Sequence, residues 1–181
     1  IFNQNDFKLL DYNNDDGLLV EPVYYVPIIP MILVNGCQGI GTGWSTDIPC
    51  FNPKDIINNI KNILNEKEYV EMKPWYRKFK GSIEKHNDYL FKSKGKFSFR
   101  DDDTMIISEL PIGSWTDKYK EYLETLIIDS KVTDKKLLKK QVIKYYNSHS
   151  TDEEVKFEIK FPKDEGYLFE LDPVKLEKTF K

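Results

Sequence analysis

Cysteine and histidine are scarce, with two of each in 181 residues. Cys37 and Cys50 are read as reduced thiols of an intracellular protein. Together with His86 and His149 they leave too few ligands for a zinc site. No apolar run approaches the roughly 20 residues needed to cross a bilayer, and no signal peptide opens the chain. Neither sign of charge dominates: 27 basic residues stand against 30 acidic ones, for a net charge of −3. That excludes a protein that binds nucleic acid through an overall basic surface, while leaving room for a local patch. Aromatics are plentiful at 14%, so the chain is no disordered tail and can build one substantial domain with its own core. It opens at Ile1 without methionine and still reads as ordered at Phe180-Lys181. A piece of a longer protein is therefore expected.

The most unusual stretch runs from Pro30 to Ser45. It begins as an apolar run, Met31 to Val34, and becomes glycine-dense, with Gly36, Gly39, Gly41 and Gly43 close together. Glycine has no Cβ and tolerates positive φ, so such a backbone bends sharply and lets another molecule come near. Ile40 stands between two of these glycines. A soluble protein gains little from isoleucine on a bare loop, so Ile40 is either tucked into a core or meant to insert into something. The loop is not a phosphate cradle of the Walker type, because no lysine follows its last glycine. Gly39-Ile-Gly41-Thr-Gly43 does not match the dinucleotide fingerprint either. A tight structural turn fits the spacing. So does an apolar wedge that enters a duplex between base pairs and kinks it.

Elsewhere the patterns are ordinary. Ile1 to Gly17 is polar and acidic, a linker or solvated edge with a turn at Asp15-Asp16-Gly17. Pro22, Pro27 and Pro30 hold Glu21 to Pro30 extended, with Tyr24, Tyr25, Ile28 and Ile29 expected in the core. Asn52 and Pro53 suit the start of a helix over Pro53 to Asn65. Ile56, Ile60, Ile63 and Leu64 fall on its packing face, with Asn58, Asn59, Lys61 and Asn62 elsewhere. Met72 to Arg100 is the most basic stretch, interleaved with aromatics. Alternation at Tyr89-Leu-Phe91 and Phe97-Ser-Phe99 indicates antiparallel strands. Its lysines suit either a phosphate-contacting face or the solvated side of a sheet. Asp101-Asp102-Asp103 is a turn without the spacing of a metal loop. Thr104 to Leu110 reads as a strand. A helix follows over about Thr116 to Ile128, capped by Thr116, with Tyr119, Tyr122, Leu123, Leu126 and Ile127 on one face. Asp134 to Gln141 reads as helix and the chain beyond it as extended. Val155 to Phe161 alternates cleanly as a strand, and Pro173 to Lys178 suits a last helix. The fold class is α+β: an antiparallel or mixed sheet with packing helices, and a split βαβ unit between Thr104 and Phe180.

Several segments carry a family likeness. Glu21-Pro22, Tyr24-Tyr25 and Pro27-Ile-Ile-Pro30 lead into Met-Ile-Leu-Val-Asn35-Gly36 and Gly39-Ile40-Gly41-Thr42-Gly43-Trp44-Ser45. This run resembles the type IIA DNA topoisomerases in their eukaryotic topoisomerase II form. Ile48-Pro49, Asn52-Pro53, Phe79-Lys80-Gly81-Ser82-Ile83-Glu84 and Glu109-Leu110-Pro111 with Trp115-Thr116 resemble the family in the same order. Bacterial gyrase A subunits share the Asn-Gly and Gly-Ile core but usually lack the Gly-Thr-Gly-Trp-Ser.

The resemblance implies a tower-like, DNA-bending domain over residues 21–181. Residues 1–20 would be a linker following a winged-helix domain that is absent here. It implies a nuclear parent enzyme, a homodimer that binds one double-stranded DNA, bends and cleaves it, and passes another through the gap using ATP. The nucleophilic tyrosine and the Mg2+-binding acidic domain of the parent are not found in this sequence. No catalytic residue, metal site or cofactor is therefore assigned to this chain. Ile40 matches the intercalating isoleucine and Trp115 a DNA-contacting tryptophan. Lys78 and Lys80 are the expected phosphate contacts of the basic stretch, and Asn35, Gly39, Gly41 and Thr42 the loop's support. Gly113 stands where the family commonly has arginine. The alternative is a non-catalytic protein-interaction domain that uses Ile40 and the aromatics as its partner surface. A small-molecule enzyme is poorly supported, because no acid, base and nucleophile cluster together.

Overall fold

The computed structural model describes residues 1–129, 141–163 and 165–180. The chain divides into two compact units, Ile1–Arg77 and Lys78–Lys181. The contacts thus draw a boundary at Arg77, inside the span expected to be one domain.

The first unit opens with a 3-10 turn, Asp6–Lys8, and a hairpin of β1 (Tyr12–Asp15) and β2 (Leu18–Pro22). Asp16 and Gly17 join the strands, both at positive φ, as a two-residue hairpin turn requires. The Asn14 side chain accepts the Gly17 N–H at 2.7 Å. The expected turn is present, but the segment around it is paired strand, not linker. From Val23 to Pro30 the chain is irregular, bending at Val23-Tyr24 and Ile28-Ile29 where an extended run was expected. Here the expected core is corrected: Ile29 is buried, whereas Tyr24, Tyr25 and Ile28 are exposed. Prolines cannot donate to a ladder, and the segment holds only an isolated bridge, Phe2 to Pro27, and a few single hydrogen bonds. No sheet forms to give these side chains an inner face.

The apolar run becomes a one-turn helix, α1 (Met31–Asn35). Next come the strands β3 (Cys37–Gly41) and β4 (Trp44–Ile48), and then α2 (Pro53–Leu64). Asn52 caps α2, its side chain accepting the Lys54 N–H at 3.0 Å, with Pro53 in the first turn. The α2 face differs from the expected one. Ile56 is buried, but Ile63 and Leu64 are exposed, and Asn59 is buried in their place. Its amide donates to the Val70 carbonyl and accepts the Val70 N–H, both at 2.8 Å. One side chain thereby substitutes for a strand partner and ties down the 65–75 segment.

The second unit holds a hairpin of β5 (Ser82–Asn87) and β6 (Leu90–Lys94). Its four-stranded sheet is ordered β7 (Lys96–Asp101), β8 (Thr104–Glu109), β10 (Phe157–Lys160), β9 (Tyr145–Ser148). β10 is antiparallel to both β8 and β9, so those two are parallel to each other with β10 between them. β8, α3 (Thr116–Leu126) and β9 therefore make the expected split βαβ unit. The strand expected to close it, β10, is instead the one inserted. The helix expected over Asp134–Gln141 lies outside the described residues except for Gln141. Two helices end the chain, α4 (Gly166–Leu171), which the sequence pattern did not reveal, and α5 (Pro173–Phe180).

Alternation puts Phe157, Ile159 and Phe161 on one face of the sheet. They are essentially water-free, under Tyr119, Leu123 and Leu126 of α3 and Leu176 and Phe180 of α5. Tyr119 donates its hydroxyl to the Phe180 carbonyl at 2.9 Å, and burial raises its pKa. α3 starts at Thr116, so Trp115, not Thr116, occupies the cap position, and it makes no side-chain capping bond.

Asp102-Asp103 turns β7 into β8. The Asp101 carboxylate is held by the Thr104 hydroxyl, the Asp103 N–H and Lys160, which lower its pKa to about 2. Its folded pKa lies below the ordinary unfolded value near ~3.9. Its contribution to stability is therefore complete above that value and lost as pH falls through about 2. Carboxyl NMR titration should place the Asp101 midpoint near 2, and Thr104→Ala should move it upward.

Candidate nucleic-acid interface

The β3–β4 hairpin follows from two glycines with unlike roles. Gly36 leaves α1 at φ +69°, and a Cβ there would stand 2.6 Å from the Ile48 carbonyl. The Cys50 thiol donates to the Asn35 carbonyl at 3.1 Å, fixing the same corner. Gly43 takes φ +79° at the tip, beside Thr42, which closes the turn. Gly39 and Gly41 differ from both. Neither has positive φ. A Cβ on Gly39 would meet nothing within 4 Å, and one on Gly41 only the Trp44 carbonyl at 3.7 Å. Glycine in a strand costs about 0.5–1 kcal/mol relative to alanine. Among the described residues nothing explains that cost at either position.

Register decides which side chains share a face. Ile40 pairs with Ser45 and Gln38 with Asp47, so these four lie together. Cys37, Gly39 and Gly41 pair with Ile48, Thr46 and Trp44 on the other face. Ile40 is 93% exposed and Trp44 86%. Between Gly36 and Thr46 there is no charged residue. The tip is thus an uncharged ribbon with one aliphatic side chain projecting from one face and one indole from the other. The expected alternatives for Ile40 were a core position and insertion into a partner; in this chain the side chain is not in a core.

Trp115 is 73% exposed at the entrance to α3, not packed as a core staple. It follows a turn in which the Ser114 N–H reaches the Pro111 carbonyl at 3.0 Å, and Gly113 has φ +85°. That is the third position of a type II turn, which favours glycine. The backbone therefore accounts for glycine at position 113. Lys78 and Lys80 are exposed but engaged. Lys78 Nζ lies 2.8 Å from Glu153 and Lys80 Nζ 3.1 Å from Glu154. Arg100 pairs with Glu158, and Lys92 and Lys94 with Glu177. The basic stretch is largely neutralised within its own unit. Ile40 belongs to the first unit and Trp115, Lys78 and Lys80 to the second.

The family model for the A subunit of DNA gyrase/topoisomerase IV matches residues 1–181. The chain belongs to this family. It is 45% identical over its whole length to DNA topoisomerase 2 of Plasmodium falciparum, covering 12% of that protein. It is 41% identical to DNA topoisomerase 2 of Bombyx mori, again over its whole length and 11% of that protein. The P. falciparum topoisomerase II DNA-binding, cleavage and re-ligation domain superposes with a TM-score of 0.81. That match has 44% identity and covers 99% of this chain and 23% of that one. The chain therefore spans only about an eighth of the full-length relatives.

Two features of this family member's hairpin were missed in the sequence. Gln38 and Ser45 flank Ile40 on its face, and Trp44 stands opposite. The alternation was present, but its phase depends on placing the turn at Thr42-Gly43. The two classes of glycine can be told apart by melting temperature. Gly39→Ala should leave stability unchanged or raise it by about 0.4–1 kcal/mol, whereas Gly36→Ala should lower it by more than that. Circular dichroism melts of the two variants decide between these outcomes.

Proposed function

We propose that this chain is the duplex-bending, tower-like part of a DNA topoisomerase II, and that Ile40 is its wedge. One observation carries the proposal: an isoleucine 93% exposed at the uncharged tip of a hairpin, between glycines with room beside them. Bending 20–30 base pairs costs on the order of 1–6 kcal/mol by smooth elastic estimates. An apolar side chain pushed into one base step replaces a distributed bend with a local kink, and the added protein–backbone contacts offset the unstacking. The glycines let the main chain reach the groove. Gln38 and Ser45, on the same face as Ile40, are suited to hydrogen bonds with base edges or sugars, and Trp115 supplies a second contact.

The parent enzyme would be a nuclear, ATP-dependent homodimer that cleaves one duplex and passes another through it. Its magnesium and nucleotide would be held elsewhere. Among the described residues no group of three or more His, Cys, Asp or Glu could hold a metal. The glycine-rich stretch is a β-hairpin, not a loop opening a helix onto phosphates. No step of the chemistry is routed through this chain. Its part is to hold the duplex in the shape that cleavage needs.

A protein-interaction role is favoured by a different observation, the exposed aliphatic and aromatic side chains of Leu18, Leu19, Tyr24, Tyr25 and Ile28. That role predicts a surface indifferent to DNA.

In the full-length enzyme, Ile40→Ala should straighten the bound duplex, read by end-to-end FRET, and lower cleavage by roughly 10- to 100-fold. A wild-type bend in that variant rejects the wedge. Phosphates should also compete with Glu153 and Glu154 for Lys78 and Lys80. Glu153→Gln with Glu154→Gln should then tighten duplex binding a few-fold and steepen its salt dependence. Anisotropy titrations at several salt concentrations that show no change would remove these lysines from the interface.

A further inference from the structure

A cleft of about 480 Å³ opens within the second unit, among β6, β7, β8 and α5. Small-molecule sites span roughly 300–1,000 Å³, with apolar walls and a few polar groups that orient the ligand. This cleft has both parts. Met105, Ile107, Leu110, Leu176 and Phe180 form its floor, all of them buried. Around them the charges are unequal. Lys92, Lys94, Lys96 and Lys178 line the cleft, against Glu109 and Glu177. Both carboxylates are engaged. Glu109 accepts the backbone N–H of Lys80 at 3.1 Å and of Leu110 at 3.2 Å. Glu177 lies 3.5 Å from Lys92 Nζ and 3.3 Å from Lys94 Nζ, so it bridges α5 to β6. Lys96 and Lys178 have no acidic partner among the described residues. Two cations are thus left over beside an apolar floor.

We propose that this cleft binds a small organic anion, a hydrocarbon body that carries one carboxylate, sulfonate or phosphate group. The body lies against the apolar floor, and Lys96 and Lys178 meet the head. Lysine is a point charge without the planar fork of arginine, so it accepts any of these head groups. The Glu177 carboxylate already shows an anion held by two lysines of this cleft. A nucleobase fits less well. The five floor residues offer no polar side-chain atom, and its ring nitrogens and exocyclic groups would be left unpaired. A duplex could meet the lysines, but its charged backbone has nothing apolar to place on the floor. The inference uses no residue of the first unit and stands apart from the wedge.

The test compares naphthoate with its neutral counterpart naphthamide, each titrated into the 181-residue chain and followed by backbone amide NMR shifts. Naphthoate should bind one-to-one and shift the signals of Lys96, Leu110 and Leu176. It should bind roughly tenfold more tightly than naphthamide, as two exposed ion pairs allow. Lys96→Gln with Lys178→Gln should remove that preference and leave naphthamide binding unchanged, and added salt should do the same. Val174 lines the cleft at 62% exposure, so Val174→Trp should fill it and weaken both ligands while the amide spectrum stays dispersed. Equal binding of the two ligands overturns the proposal, as do shifts confined to other residues or a preference that survives the double substitution. Binding of naphthoate weaker than about 1 mM also overturns it. So does displacement of naphthoate by a short duplex, which would assign these lysines to nucleic acid.

Discussion

Water around Ile40 is the constraint to which the hairpin's features relate. An isoleucine left in solvent forgoes about 1.5–3 kcal/mol of burial, and none of the described residues covers this one. The neighbours keep that contact available. Gly36 and Gly43 set the corner and the tip through backbone conformations that other residues adopt only under strain. Gly39 and Gly41 keep the strand thin where none of the described residues crowds it. An uncharged tip can enter a base stack without stranding an ion in it. Each property is ordinary alone, and together they are what the proposed wedge requires.

The two units handle apolar surface differently. In the second unit the sheet, α3 and α5 close over Phe157, Ile159 and Phe161, and the core lies within one unit. In the first unit burial is sparse. Ile29 and Ile56 are its buried aliphatics among the described residues, while Leu18, Leu19, Tyr24 and Tyr25 face water. The first unit also carries the acidic excess, ten acidic residues against six basic. The proposed wedge, carried on such a body, would work through shape and desolvation, with little help from long-range attraction. In the lysine-rich second unit Glu153, Glu154, Glu158 and Glu177 hold many of the cations proposed to meet phosphates. Exposed pairs of this kind are worth little each, typically about 0–1 kcal/mol, so a polyanion can exchange with them at low cost.

Periodicity by itself determined the elements whose side chains alternate or recur over a sufficient length: β10, α2, α3, α5 and the β7–β8 hairpin. The order of elements pointed to a split βαβ unit but not to which strand closes it, since β9, not the plainly alternating β10, lies parallel to β8. The ordered motifs determined the family, and the lone isoleucine among glycines determined which side chain to watch. Only the tertiary structure decided that Tyr24, Tyr25 and Ile28 face water, since hydrophobicity does not say whether a second layer exists. It decided that Asn59 enters the interior, since a polar side chain is buried only when a particular backbone group, here that of Val70, is present to satisfy it. It decided that Lys78 and Lys80 are held by glutamates over seventy residues away in sequence. And it decided that Ile40 and Trp44 stand back to back, because the phase of a two-residue repeat is set by where the turn falls, and one position either way would have exchanged the two faces.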